Sequence, residues 1–314
     1  MKIFVSGLFL MVFSMPAMAA SSLDVALKNV ALSCGAISEE LSDMKVRAGI
    51  GTAVSAVGTA TGAVAVGAGI AKSGVDSDVA DLEAELAKLK AMDTGDYTRL
   101  SLTEAQISSL NAEISAYVSS SAAQIQDKES EMSELEQKSK KLGNIRTGTL
   151  AASTAANIAG AVVAGNNRTT GGLQQKISAC IESVSELSRV RMQARLDGSA
   201  DDAQLLRAEK IIAECGAWET VNVSSIDKRA QGATVASGVG AGLGLIGTIT
   251  SASANSDKVR DGDDKKEQNL NTASNVLAGG TTLASGAATA FNATQISAIK
   301  RAAQVADACE GALK

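Results

Sequence analysis

The chain has 314 residues, a formal net charge of −5, no His, one Pro and only 2% aromatic residues. The missing His removes the usual Ser-His-Asp triads and the usual catalytic zinc sites. The acidic balance is unfavourable for binding nucleic acid, because phosphate contacts need clustered Lys and Arg. The scarcity of Pro, normally about 5% of residues, argues against a loop-rich β-sandwich.

The first nineteen residues have the features of an export signal peptide. Lys2 supplies a positive start, and residues 3–15 form an apolar run that is short for a bilayer span. Ala17-Met18-Ala19 then gives the small-x-small pattern that precedes a cleavage site. An uncleaved membrane anchor is the alternative. We therefore expect an exported protein that begins at Ala20 and is located in the periplasm, in the cell envelope or outside the cell.

Four segments contain no charged residue and consist mainly of Ala, Gly, Ser, Thr and Val. Their Ala content, their length and the missing Pro favour helices. A silk-like β-form of residues 61–67 is the alternative. The segments are 48–71, 147–167, 230–256 and 268–299.

A charged segment, residues 73–146, separates the first two apolar segments. The pattern predicts a helix over 77–92, a turn at 93–96 and a second helix over 103–142, with Thr103 and Gln106 as a capping box. We expect this insertion to form a coiled-coil-like hairpin. Its apolar stripe at heptad spacing comprises Ile107, Leu110, Ile114 and Tyr117, followed after a phase slip by Ile125, Met132 and Leu135.

The cysteines indicate an internal duplication. Each predicted unit contains a Cys-bearing helix, an apolar segment, a charged middle, a second apolar segment and a second Cys-bearing helix. Unit one covers 20–197, unit two covers 198–314, and the middle of unit two, 257–267, is a short polar loop. Asp197-Gly198-Ser199 is the predicted junction, with Ser199 as the cap of the next helix.

Four cysteines after an export signal predict disulfides. Antiparallel helices of one hairpin face each other at equal distances from its base. Cys34 lies 13 residues before Arg47 and Cys180 lies 12 after Arg168, which favours Cys34–Cys180 in unit one and, by analogy, Cys215–Cys309 in unit two. No metal site or cofactor is expected, because the chain has no His and no two closely spaced cysteines.

Small residues recur at a spacing of seven and then four along each apolar segment. On a helix this spacing places them on one face, where a neighbouring backbone can approach closely. An Ala-rich helix without a defined partner is the alternative. The predicted helix-packing face comprises Gly51, Gly58, Gly62, Gly69, Gly160, Gly240, Gly247, Gly279 and Gly286.

These features predict an all-α protein of long antiparallel hairpins with Ala- and Gly-rich helices, arranged in two duplicated units. We expect a non-enzymatic structural or interaction protein that self-associates or packs on a membrane through its small-residue faces. The alternative is a secreted pore-forming or translocator protein that inserts its apolar hairpins. The expected partners are a second copy or a membrane; neither nucleic acid nor a small-molecule substrate is indicated.

Overall fold

A computed structural model describes residues 22–92, 104–168, 171–256, 259 and 264–314, and every regular element in these ranges is helical. The predicted all-α fold with long helices is confirmed. The helices are α1 (Ser22–Cys34), α2 (Ile37–Met92), α3 (Glu104–Asn166), α4 (Gly171–Asp197), α5 (Asp202–Gly216), a 3₁₀ helix (Ala217–Thr220), α6 (Ser224–Ala254) and α7 (Asp264–Leu313).

The helices are longer than the predicted segments. The apolar segment 48–71 and the charged segment 77–92 are parts of one helix, α2, whose 56 residues extend about 84 Å at 1.5 Å per residue. Likewise, α3 joins most of the predicted helix 103–142 to the apolar segment 147–167. Residues 61–67 lie inside α2, so the β alternative is wrong. The predicted turn at 93–96 and the cap at Thr103 lie outside the described residues.

The chain divides into two compact units that differ from the predicted halves. The bundle unit comprises the described residues of 47–167 and 229–294, and the disulfide unit comprises the described residues of 22–46, 168–228 and 295–314. Each predicted half, 20–197 and 198–314, contributes chain to both compact units, because α2, α6 and α7 run across the boundary. The duplication itself stays a prediction.

In the bundle unit, sections of four helices pack side by side, each antiparallel to its neighbours in the ring. Along each pair of neighbouring helices, the residue numbers of the contacting positions rise on one helix and fall on the other, as in an up-and-down four-helix bundle. The ring of contacts between neighbouring helices is Gly62 with Ser153, Gly160 with Ser237, Gly280 with Leu243, and Gly58 with Ser285.

A seven-residue repeat describes the buried face of the bundle helices. In α2 buried positions follow one another by three and four residues through 48, 51, 55, 58, 62, 65, 69 and 72, and Ala68 is buried as well. This spacing is the 3.5-residue period of a coiled-coil seam. In the charged hairpin, Ile125, Met132 and Leu135 are half-buried on the predicted stripe, so the repeat extends beyond the apolar segments.

The disulfide unit contains α1, α4, α5 and the 3₁₀ helix, and α4 packs against both α1 and α5. Gly198 adopts a positive φ of 61° at the predicted junction between α4 and α5, a conformation that glycine adopts without steric cost. The cap of α5 is Asp201, so the prediction of Ser199 is wrong. The Asp201 carboxylate accepts a hydrogen bond from the backbone N–H of Gln204, and the side-chain Oε1 of Gln204 accepts one from the backbone N–H of Asp201. Trp218, the single tryptophan, is buried here.

Candidate membrane-interaction site

The glycine face predicted for α2 lies inside the bundle. A Cβ added at Gly58 would be 3.3 Å from Ser285 Oγ, and one added at Gly62 would be 2.6 Å from Thr282 Oγ1. The expected partner was the segment 147–167 of α3, which does contribute contacts. However, α7 supplies the nearest atoms at all four predicted positions, Gly51, Gly58, Gly62 and Gly69.

The predicted positions lie against a facing helix in α3 and α6 but not in α7. Added Cβ atoms at Gly160, Gly240 and Gly247 would lie 2.9–3.2 Å from a facing helix. At Gly279 and Gly286 they would meet nothing within 4 Å. The buried seam of α7 runs one residue earlier, through 278, 285 and 292, and carries Ala, Ser and Asn instead of Gly.

The interior of the bundle is polar. Ser153 Oγ donates to the carbonyl of Gly58 at 2.8 Å, and Ser285 Oγ donates to Asn157 Oδ1 at 2.9 Å. A buried polar group is costly unless it is hydrogen-bonded, and these groups are paired. The buried polar side chains of the four apolar segments within this unit are Ser55, Ser153, Thr154, Asn157, Asn167, Ser237, Ser251, Asn271, Ser274, Thr281, Ser285 and Asn292.

The exterior of the same segments is apolar. Among the described residues of 48–71, 147–167, 230–256 and 268–294, Leu150 is the one buried apolar side chain larger than Ala. Fourteen large apolar side chains are exposed instead, with 40–77% of their surface accessible. They are Ile50, Val57, Val64, Ile70, Ile158, Val162, Val235, Val239, Leu245, Ile246, Ile249, Val276, Leu283 and Phe291.

The bundle sections 48–71, 147–167, 230–256 and 268–294 together form what we call the apolar zone. A charged cluster lies at one end of this zone and comprises Lys72, Asp76, Arg146 and Glu267. Lys72 is 1% exposed, and its Nζ lies 2.7 Å from both Asp76 Oδ2 and Glu267 Oε1. Arg146 is fully buried and donates from Nε to Ser251 Oγ, from Nη1 to Asn275 Oδ1 and from Nη2 to Asn271 Oδ1, at 2.9, 3.2 and 2.7 Å. All four helices of the bundle therefore contribute to this end.

Two arginines mark the opposite end of the apolar zone. Arg47 donates to the carbonyl of Asn166 at 3.4 Å, and Arg229 donates to the carbonyl of Thr294 at 2.5 Å. Between Arg47 and Lys72, α2 has 24 uncharged residues, which extend about 36 Å. The hydrocarbon core of a bilayer is about 30 Å thick. The uncharged section of α2 is therefore long enough to cross that core.

The length and hydropathy of the helices also agree with a membrane crossing. By length and hydropathy, three described stretches are apolar enough to cross a membrane, and they lie within Ser22–Lys90, Ser119–Asn166 and Asp202–Ala254. The apolar part of α7 is not among them. Its interior face carries Asn271, Ser274 and Asn292, which lower its mean hydropathy although Val276, Leu283 and Phe291 are exposed on its exterior.

The disulfide unit holds all four cysteines in the predicted pairs. Cys34 is bonded to Cys180 and Cys215 to Cys309, with S–S distances of 2.00 and 1.97 Å. All four are buried, and the sulfurs of Cys34, Cys215 and Cys309 lie within 4.8 Å of one another. Three neighbouring cysteines have the chemistry of a thiophilic metal site, but sulfurs bonded in disulfides are not thiolate ligands.

No protein-family model, curated protein or solved structure matches this chain. Function is therefore inferred from the geometry of the bundle unit and from the chemistry of its surface.

The glycine seam predicts opposite effects for two Gly→Ala changes in α2. Gly62→Ala places a methyl group against Thr282, including its Cα at 3.3 Å, so overpacking should lower stability by about 1–3 kcal/mol. Gly67 is exposed with nothing within 4 Å, so Gly67→Ala should raise stability by up to about 1 kcal/mol through helix propensity. Denaturation followed by circular dichroism measures both; equal effects would contradict the seam.

The charged cluster predicts that two lysines of α2 differ in importance. Lys72→Met leaves two carboxylates without their buried cation and should cost up to about 3–5 kcal/mol, the upper end being reduced because Glu267 is 16% and Asp76 33% exposed. Lys90 makes a similar 2.8 Å ion pair with Glu129, but its side chain is 53% exposed. Lys90→Met should therefore cost at most about 1 kcal/mol. The two melting curves, recorded under the same conditions, check this; a Lys72→Met protein as stable as Lys90→Met would show that the cluster does not form.

Proposed function

We propose that the bundle unit is embedded in a membrane and that the protein is an exported, non-enzymatic protein of the cell envelope anchored by this unit. The observation that carries the proposal is the inverted polarity of the bundle. Ser, Thr and Asn side chains occupy its interior, hydrogen-bonded except for Ser237 Oγ, and the exposed large side chains are Val, Ile, Leu and Phe. Large contiguous apolar surfaces on a folded protein mark interaction sites.

The transfer free energy of the exposed apolar side chains favours lipid over water around this surface. Burying a Val, Leu or Ile side chain gains about 1.5–3 kcal/mol. Side chains that are already half-buried have on the order of 1 kcal/mol still to gain, so fourteen of them represent on the order of 10 kcal/mol. Hydrocarbon requires every backbone polar group to be paired within the protein, a condition that continuous helices meet.

The charges also support a bilayer. Lys72 and Arg146 are paired with acidic or polar partners at one end of the apolar zone, and Arg47 and Arg229 lie at the other end. Charged groups near a membrane are found at its interfaces or in paired, protein-facing positions. Two disulfides are typical of an oxidising compartment, which agrees with export.

The glycine faces support a role inside one copy of the chain. The glycine faces of α2, α3 and α6 contact helices of the same bundle, so these faces are not available to a second copy, whereas Gly279 and Gly286 of α7 meet nothing within 4 Å. A second copy would therefore contact the apolar exterior. The proposal therefore retains the membrane partner and assigns the small-residue faces to packing within the anchor.

Flotation of the purified protein with phospholipid vesicles tests the proposal. We expect the protein to float with the vesicles and to resist extraction at alkaline pH. Replacing Val57, Val64, Val235 and Val239 together by Gln should lower the vesicle-bound fraction at least tenfold, because these exposed side chains would have to enter lipid as amides.

The disulfide unit offers a matched control for this variant. Leu32, Met192, Leu196 and Leu206 are 66–81% exposed there, and their joint replacement by Gln should leave flotation unchanged. Circular dichroism verifies the helical content of both variants. Equal loss in both, or a wild-type protein that stays with the soluble fraction as a monomer, would contradict a membrane-embedded bundle. A soluble oligomer would assign the apolar exterior to contact between copies.

A pore-forming protein is the second candidate. It is favoured by the polar interior, which extends from Asn292 near one end to Lys72 at the other. The interior is filled, since Cβ atoms added along the seam would come within 3.5 Å of facing atoms, so a pore requires the helices to separate. Removing the buried cation that joins α2 to α7 should ease that separation.

Dye release from the same vesicles distinguishes the two candidates. An anchor binds without releasing an encapsulated dye, and a pore former releases it. For a pore former, Lys72→Met should release dye faster than wild type, whereas Lys90→Met, whose ion pair is exposed, should behave as wild type. Binding without release by all three proteins would support the anchor.

A further inference from the structure

The two disulfides of the disulfide unit share one buried site. Their cysteines come from four helices, α1, α4, α5 and α7, and none is more than 6% exposed. Sulfurs that belong to different disulfides are near neighbours, because Cys34 Sγ lies within 4.8 Å of both Cys215 Sγ and Cys309 Sγ. Two disulfides that served only as separate crosslinks would not need this proximity.

We infer that the four cysteines form one thiol–disulfide exchange site, in which a thiolate released from the first disulfide attacks the second. Exchange occurs by attack of a thiolate on a disulfide sulfur, so its rate depends on access. A neighbouring sulfur in the same buried site has a far higher effective concentration than any thiol in solution. The inference does not depend on the proposed membrane role.

The chemistry balances with an external dithiol as the reductant. The dithiol reduces Cys34–Cys180, becoming a disulfide itself and leaving two protein thiols. The Cys34 thiol then loses its proton, and its thiolate bonds to the sulfur of Cys215 or Cys309. The bond between Cys215 and Cys309 breaks, and the departing thiolate accepts a proton. The number of protein disulfides is unchanged in this second step.

The exchange changes which parts of the chain are tied together. The two disulfides join residues that are 146 and 94 positions apart. In the sequence, α2 and α3 lie between the cysteines of the first disulfide, and α6 and most of α7 lie between those of the second. A bond from Cys34 to Cys215 or Cys309 would instead link α1 to α5 or α7, and it would leave Cys180 on α4 without its disulfide. The site is therefore a redox-controlled choice between separate hairpins and a crosslink between the two halves of the chain.

Two single-cysteine variants of the full-length chain test the exchange. Cys180→Ser leaves the Cys34 thiol beside an intact Cys215–Cys309 disulfide. Cys34→Ser leaves the Cys180 thiol, which is not one of the three sulfurs that lie within 4.8 Å of one another. Each folded protein is incubated with a glutathione redox buffer, trapped with an alkylating reagent and mapped by mass spectrometry without reduction.

We expect Cys180→Ser to yield peptides that join Cys34 to Cys215 or Cys309, at a level at least tenfold above any Cys180 crosslink in Cys34→Ser. A Cys180→Ser protein that keeps only Cys215–Cys309, with Cys34 alkylated, would overturn the inference. Equal crosslinking in both variants would also overturn it, because proximity would then play no part.

Limited reduction of the wild-type chain covers the case in which a variant does not fold. Substoichiometric dithiothreitol produces molecules with one remaining disulfide, which are trapped and mapped in the same way. We expect a Cys34–Cys215 or Cys34–Cys309 linkage among them. If every single-disulfide molecule carries Cys34–Cys180 or Cys215–Cys309, the inference is wrong.

Discussion

Close approach of helix backbones at glycine is the constraint on which the bundle unit depends. Gly58 faces Ser285, Gly62 faces Thr282, and Gly240 faces Asn157, so a side chain on one helix fills the space that glycine leaves on another. With Leu150 as its one large buried apolar residue in the described apolar segments, the bundle gains little from removing hydrocarbon from water. Dispersion contacts and buried hydrogen bonds must supply the cohesion.

This mode of packing explains why one helix bundle can have a polar interior and an apolar exterior. Close contact between backbones needs small residues on the inner face, and hydroxyl and amide groups there can bond across helices, as in membrane proteins. Bulky Val, Ile and Leu side chains would separate the helices, so they occupy the outer face. A bilayer is the solvent in which such an exterior is favourable.

The disulfide unit follows different physics. Its buried residues include Leu23, Val30, Ile37 and Trp218, the ordinary pattern of a water-soluble core. Its helices are shorter, and covalent bonds add to their packing. In the entropy model of crosslinking, a disulfide that closes a loop of about a hundred residues contributes about 4.7 kcal/mol. The two units thus reach stability by separate means.

The sequence by itself determined the helical class, the cysteine pairs and the inward glycines of α2, because missing Pro, nearly equal Cys–Arg spacings of 13 and 12 residues and a seven-residue period can all be read along the chain. Only the tertiary structure decided which face of α7 is buried. Gly279 and Gly286 fit the predicted spacing, yet they do not contact a facing helix. Because these segments are so rich in small residues, several faces of one helix carry small residues at the seven-residue spacing. Packing against the other three helices decides which of these faces is buried. The partners of buried charges, such as Lys72 and Glu267 at 195 residues apart, are likewise set by packing, since no local pattern relates them.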